Sequence, residues 1–195
     1  SFAHIVHSAQ SQGRAGNRGS CAASRLSGAR GCAYRSHMAL TLVLYQPDIP
    51  QNAGTMLRAC ACLGLDAAIV EPAGFPVADR NFRRAGMDYL DAVAICRHAS
   101  FAAFEDWRRP TGRRLVLLTT QARQAYTDFV FRPDDLLMVG RESAGAPQSV
   151  HDAADARVLV PIRPDLRSLN VALAAGMVLG EALRQTSAFP RGDFA

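Results

Sequence analysis

From Leu40 onward, short apolar runs alternate with longer amphipathic stretches, and this alternation restricts the chain to few folds. Runs of four or five apolar residues without a polar face are typical of buried parallel strands. The amphipathic stretches between them predict helices, so the order favours an α/β domain whose mostly parallel sheet is flanked by helices. The predicted strands are residues 42–45, 67–70, 115–119, 136–139 and 158–160.

Three helices are predicted between and after these strands. Residues 53–63 end at Gly64, a suitable C-cap, and residues 100–108 stop before Pro110. The last helix is predicted from about residue 168 to 185. No repeat interrupts the series, and residues 38–195 are therefore interpreted as one domain.

Residues 1–37 differ in composition from the remainder of the chain. They are rich in Ser, Gly, Ala and Arg, and they contain five Arg but no acidic residue. We expect a disordered leader, interpreted as a start assigned too early with Met38 as the initiator, as a targeting segment, or as a basic RNA-binding tail. The leader accounts for the formal charge of +5, so RNA affinity in residues 38–195 must come from local patches.

Several classes of site and location lack support. No apolar stretch reaches the roughly 20 residues of a membrane-spanning helix. The Cys60-x-Cys62 pair has no second ligand pair, so no metal is expected. The five cysteines are interpreted as reduced thiols, which favours a cytoplasmic location. Motifs for nucleotide hydrolysis, nicotinamide binding and serine hydrolysis are missing.

Polar loops follow the predicted strands, where parallel sheets bind ligands. After the first strand, residues 46–52 contain two prolines and end at Asn52, a candidate helix cap, with Arg58 about one and a half turns further on. This pattern fits a catalytic loop. A capped helix with a surface arginine fits it equally well.

Two further loops carry candidate residues. Residues 140–147 begin with Gly140, which permits close backbone approach to a ligand, and contain Glu142, a candidate proton acceptor or arginine partner. In the loop before the last helix, Ser168 is a candidate N-cap and Asn170 is placed in the first turn.

The segment 79–89 is basic and contains two aromatic residues. Arginine donates paired hydrogen bonds to phosphate, and aromatic rings stack on bases. Arg80, Arg83 and Arg84 are therefore candidate RNA-binding residues, although a solvated charged surface is the more common meaning of such a run.

Taken together, these motifs resemble the SPOUT methyltransferases, specifically the branch that methylates the 2'-hydroxyl of a cytidine or uridine at the tRNA wobble position. The resemblance extends over about residues 40–185. The matching text is LVLYQPDIPQNAGTMLRAC, EPAGF, RRAGMDY, LLTT, GRESAGAP and VPIRPDLRSLNVALAAGMVLGEA.

The resemblance implies a C-terminal deep trefoil knot, a homodimer that completes the active site, tRNA as partner and S-adenosylmethionine as methyl donor. It also implies two sets of residues. The cofactor-binding residues would be Leu118, Gly140, Val160, Ile162 and Ser168, and the catalytic residues Asn52, Arg58, Glu142 and Asn170.

Arg58 is the group that related enzymes are held to use on the 2'-hydroxyl. Because an arginine side chain stays protonated at physiological pH, we expect Arg58 to grip phosphate or orient the hydroxyl, with Glu142 holding its guanidinium. Two positions depart from the family. Ala144 stands where many relatives have Arg, and Gly180 where some have an aromatic residue at the dimer interface.

Two alternatives remain open at this stage. The same fold methylates other riboses in tRNA or ribosomal RNA, and a catalytically silent RNA-binding or cofactor-binding module would share it. The balanced charge of residues 38–195 and the lack of an added RNA-binding domain favour an exposed target such as an anticodon loop.

Overall fold

Parallel strands build the centre of the protein, which is described here from a computed structural model covering residues 39–75, 89 and 92–191. Within these residues, seven strands form one sheet in the order β3-β2-β1-β6-β4-β7-β5, and every neighbouring pair is parallel. The strands are β1 Thr41–Tyr45, β2 Asp66–Val70, β3 Ile95–His98, β4 Leu115–Leu118, β5 Gln124–Ala125, β6 Leu136–Val139 and β7 Ala156–Leu159.

Four helices cover the two faces of this sheet. They are α1 Pro50–Leu63, α2 Phe101–Arg108, α3 Gln148–Ala153 and α4 Val171–Thr186. Single turns of 3-10 helix span Arg109–Thr111 and Tyr126–Asp128.

Alternate side chains of each central strand enter different hydrophobic cores. In β1, Leu42 and Leu44 pack with α1 and α4, whereas Val43 packs on the opposite face with Phe104 of α2 and Val150 of α3. A sheet covered by helices on both faces has no polar side, which explains the uninterrupted apolar runs. The predicted α/β class is confirmed. The trefoil knot stays a prediction, because strand order and register do not define how the chain is threaded.

Three elements were missed because their sequences carry weak signals. Strand β3 has four residues, of which only Ile95 and Cys96 are apolar, β5 has two residues, and α3 has six mostly polar residues. Each is defined by its contacts with the larger elements and not by its own periodicity.

The predicted helix caps are wrong at two positions. Helix α1 begins at Pro50, three residues earlier than expected, with Ile49 as N-cap, so Asn52 lies in the first turn. Helix α4 begins at Val171, and its N-cap is Asn170 and not Ser168. The Asn170 side chain accepts hydrogen bonds from the backbone N–H groups of the first turn.

The cysteine prediction is wrong at one position. Cys60 and Cys62 are free thiols, as expected, but Cys96 is disulfide-bonded.

The interpretation of residues 1–37 as a leader lies outside the described residues. Among the helices that are described, none is long and apolar enough to span a membrane.

A buried ion cluster attaches α2 to the sheet. The Arg108 guanidinium donates to both carboxylate oxygens of Glu105 at 2.7 and 3.0 Å, to Asp155 at 2.8 Å and to the Arg113 carbonyl at 3.0 Å. Asp155 also accepts from the backbone N–H of Leu115 at the start of β4. The neighbouring Arg109 reaches the same Glu105, but its side chain is 72% exposed.

This cluster predicts unequal effects for two adjacent arginines. Arg108→Met preserves the aliphatic stem but leaves Glu105 buried without its main partner, which we expect to lower the free energy of unfolding by about 3–5 kcal/mol. Arg109→Met removes an exposed pair and should cost less than about 1 kcal/mol. Urea unfolding followed by circular dichroism measures both values, and equal losses would contradict this account.

Candidate active site

A cavity of about 600 Å³ opens at the carboxyl edge of the sheet, between the loops after β4, β6 and β7 and the start of α4. Its volume lies within the range of roughly 300–1,000 Å³ that is usual for small-molecule sites. Eight of the nine residues predicted to be catalytic or cofactor-binding contribute to its lining. They are Asn52, Leu118, Gly140, Glu142, Val160, Ile162, Ser168 and Asn170.

Gly140 begins a tight turn that forms one wall of the cavity. Arg141 and Gly145 exchange two backbone hydrogen bonds of 2.8 and 3.0 Å across this turn. A Cβ atom on Gly140 would lie 2.6 Å from the Gly145 carbonyl carbon and 2.7 Å from the Ala146 nitrogen. Real Cβ contacts are not this short, so the turn requires glycine at this position.

Asn52 and Asn170 form a bridge between two helices at the cavity. The Asn170 amide donates to Asn52 Oδ1 at 2.9 Å, while Asn170 Oδ1 caps α4. The Asn52 oxygen is thereby occupied, and its NH₂ group retains donors for a ligand. The N-termini of α1 and α4 meet here, and their partial positive charge favours electron-rich groups.

Glu142 is paired with Asp48 and not with Arg58. The Asp48 backbone N–H donates to Glu142 Oε2 at 3.0 Å, and Glu142 Oε1 is buried without a hydrogen-bond partner. The prediction that Glu142 holds the Arg58 guanidinium is therefore wrong for two residues of the same chain. Burial raises the pKa of Glu142, and the neighbouring Asp48 carboxylate raises it further.

Arg58 is exposed on α1, with its guanidinium carbon 4.7 Å from the centre of the Tyr89 ring. Of the four predicted catalytic residues, all of which the structure describes, it alone does not line the cavity. The predicted RNA-binding residues Arg80, Arg83 and Arg84 lie outside the described residues.

Several cavity residues were not predicted from the sequence, and two of them are basic. Arg167 lies in the loop before α4, and His151 comes from α3, where its buried Nε2 atom has no hydrogen-bond partner. No spacing signal marks His151, because the helix that places it was itself not predicted. No group of three or more His, Cys, Asp or Glu side chains suited to a metal occurs in the part of the chain that the structure describes.

Comparison with known proteins agrees with this geometry. The model of the SpoU rRNA methylase family matches residues 39–180. The chain belongs to this family. The match contains all the elements from β1 to the middle of α4, including every loop that lines the cavity.

Two of the similar proteins are described by the RNA position that is methylated. A tRNA (cytidine(34)-2'-O)-methyltransferase of Beijerinckia indica is 71% identical over 150 residues, which cover 77% of this chain and 94% of the relative. A solved structure described as giving insights into 2-OH methylation of C/U34 on tRNA is 38% identical, with a TM-score of 0.72, and the match covers 77% of this chain and 97% of that one.

A third comparison concerns the methyl donor. The SpoU methyltransferase AviRb of Streptomyces viridochromogenes, solved in complex with AdoMet, is 29% identical with a TM-score of 0.70. The match covers 76% of this chain and 60% of that one.

The contacts around Gly140 predict a binding defect. In Gly140→Ala the turn must shift, at a cost of about 1–3 kcal/mol. We expect S-adenosylhomocysteine to bind about 5- to 100-fold more weakly in calorimetry, with folding retained. Gly180→Ala is the matched control, because no atom lies within 4 Å of the Cβ added there. Equal affinity in the Gly140 and Gly180 variants would show that the turn does not shape the binding site.

Proposed function

We propose that this protein transfers a methyl group from S-adenosylmethionine to the ribose 2'-hydroxyl of the wobble nucleotide, a cytidine or uridine, in the tRNA anticodon loop. The observation that carries the proposal is the convergence of residues from four distant loops on one cavity. The cytidine(34) activity of the relative that is 71% identical supports this choice of target.

The cavity fits the proposed methyl donor. Leu118, Val160 and Ile162 offer apolar surface to a purine ring, and the Gly140 turn allows main-chain groups to approach it closely. Ser168 adds a hydroxyl at the same wall. S-adenosylmethionine supplies a methyl group on a sulfonium, which is an activated leaving group, so the protein must mainly align the hydroxyl and assist proton loss.

We assign orienting roles to the two asparagines and to Arg58. The Asn170 side chain fixes Asn52, whose remaining donors then face the cavity that both residues line. Arg58 keeps its positive charge, which suits contact with an RNA phosphate or the ribose hydroxyl. On the sequence pattern alone, we assign contacts with the RNA backbone to Arg80, Arg83 and Arg84.

We infer that two copies of the chain form the working enzyme. Leu169, Leu173 and Met177 follow one another at four-residue spacing, and the latter two are 57% and 39% exposed on α4. This stripe is continuous with the cavity, which Leu169 and the exposed Ile49 also line. A second copy placed on the stripe would cover both its apolar surface and the cavity. Arg58 of one copy could then contribute to the cavity of the other copy.

The substrate assignment is tested by methyl transfer from radiolabelled S-adenosylmethionine to bulk tRNA and, in a parallel assay, to ribosomal RNA. We expect label in a 2'-O-methylated wobble nucleotide, and Arg58→Ala should remove turnover while calorimetry shows nearly unchanged binding of S-adenosylhomocysteine. Label found only in ribosomal RNA would overturn the target, and no label in any RNA would favour a silent binding module. The cytoplasmic location stays a prediction.

The dimer is tested by a charge placed in the stripe. Leu173→Glu should convert the protein to monomers in analytical ultracentrifugation and lower methyl transfer, because a buried unpaired carboxylate opposes association. Val130→Glu is the control, since Val130 is 76% exposed but lies outside α4. A monomeric wild-type protein that is fully active would contradict the inference.

A further inference from the structure

Asp48 lies where three loops meet at the carboxyl edge of the sheet. It belongs to the segment that follows β1, and its carboxylate accepts from the Glu142 backbone N–H at 3.1 Å and from the Ser143 hydroxyl. The Arg141 Nε atom lies 3.6 Å from the same carboxylate. One aspartate therefore binds three consecutive residues of the turn after β6.

The connection between Asp48 and Glu142 is reciprocal. The Asp48 backbone N–H donates to the Glu142 carboxylate, and the Glu142 backbone N–H donates to the Asp48 carboxylate. From the other side, a Cβ on Gly74 would lie 2.9 Å from both Cα and Cβ of Asp48, and the Gly74 N–H donates to the Pro47 carbonyl at 2.8 Å. Asp48 is held in place by the loops after β2 and β6.

This arrangement shifts the pKa values of the two carboxyl groups in opposite directions. Hydrogen bonding with Glu142 is the main cause that lowers the pKa of Asp48 to about 2, so Asp48 is ionised. Burial and the adjacent Asp48 carboxylate raise the pKa of Glu142. Glu142 lines the cavity, and its Oε1 atom has no donor. A buried oxygen in this state is destabilised until a donor reaches it.

We propose that Asp48 is a positioning residue that holds Glu142 at the cavity, and that Glu142 receives the proton which the ribose 2'-hydroxyl loses during methyl transfer. This inference rests on the proposed function. As the 2'-oxygen gains the methyl carbon, the sulfonium sulfur keeps the electron pair of the broken bond. The hydroxyl proton passes to the Glu142 carboxylate and then to solvent.

The arginines at the cavity are not suited to this task. Besides Glu142, its charged or titratable lining residues are Arg141, Arg167 and His151. Neither these arginines nor Arg58 can accept a proton, since an arginine side chain is already protonated at physiological pH. A carboxylate whose pKa is raised towards the working pH is a better base than an ordinary glutamate.

Asp48→Asn tests the positioning role because it removes the charge but keeps the backbone donor. The Asp48 charge raises the pKa of Glu142, so its removal must lower that pKa and move the acidic limb of the kcat profile to lower pH. We expect kcat to fall about tenfold with little change in the affinity for S-adenosylhomocysteine. Asp152→Asn, an exposed aspartate on α3, is the matched control and should leave the profile unchanged.

A second measurement does not depend on activity. In protein without ligand, the ¹³C-carboxyl NMR signal of Glu142, assigned by its loss in Glu142→Gln, reports the pKa of that group alone and excludes confusion with His151. We expect a pKa above that of an exposed glutamate, and a lower value in Asp48→Asn. An ordinary pKa that does not respond to Asp48→Asn would overturn the positioning role.

Glu142→Gln tests the proton transfer itself. Its amide oxygen still accepts from the Asp48 N–H, so folding and the turn should persist, while kcat falls by at least about 100-fold. If the wild type methylates tRNA and Glu142→Gln keeps most of that activity, the proton-acceptor role is wrong. If the wild type methylates no RNA, the proposed function fails, whereas the NMR titration still decides whether Asp48 acts on Glu142.

Discussion

The parallel pairing of β1 with β6 is the constraint on which the site depends. Leu44 and Val139 are register partners at the ends of these strands. Asp48 follows four residues after Leu44, and Glu142 three residues after Val139, so the register brings together two residues that are 94 positions apart. Strands that run in one direction place all such loops at one edge, and the cavity lies between those loops.

Polar side chains around the cavity form hydrogen bonds with one another in pairs. Only a few of their polar atoms therefore remain available to bind a ligand. Asn170 caps α4 and also fixes Asn52, while Asp48 occupies one oxygen of Glu142 and leaves the other without a donor. The result is a rigid wall on which few polar atoms remain available. Preorganisation of this kind favours alignment of reactants over tight binding of a ground state.

Sequence patterns predicted the five main strands and the α/β class, because buried parallel strands have a characteristic local composition. The eight predicted residues that line the cavity were implied as a set by the resemblance to the SPOUT methyltransferases. The patterns failed for β3, β5 and α3, whose positions depend on pairing and packing with other elements. The caps were misplaced for a related reason. Asn52, Ser168 and Asn170 all have capping chemistry, and only backbone geometry decides which one is used.

The sequence by itself determined the order of the main strands and helices and the motifs that mark the family, because these depend on residue type and spacing. Only the tertiary structure decided which side chains contact each other. It paired Glu142 with Asp48 and kept Arg58 outside the cavity lining of its own chain. Hydrogen bonds between distant loops depend on strand register and on burial, and a local stretch of sequence determines neither of these.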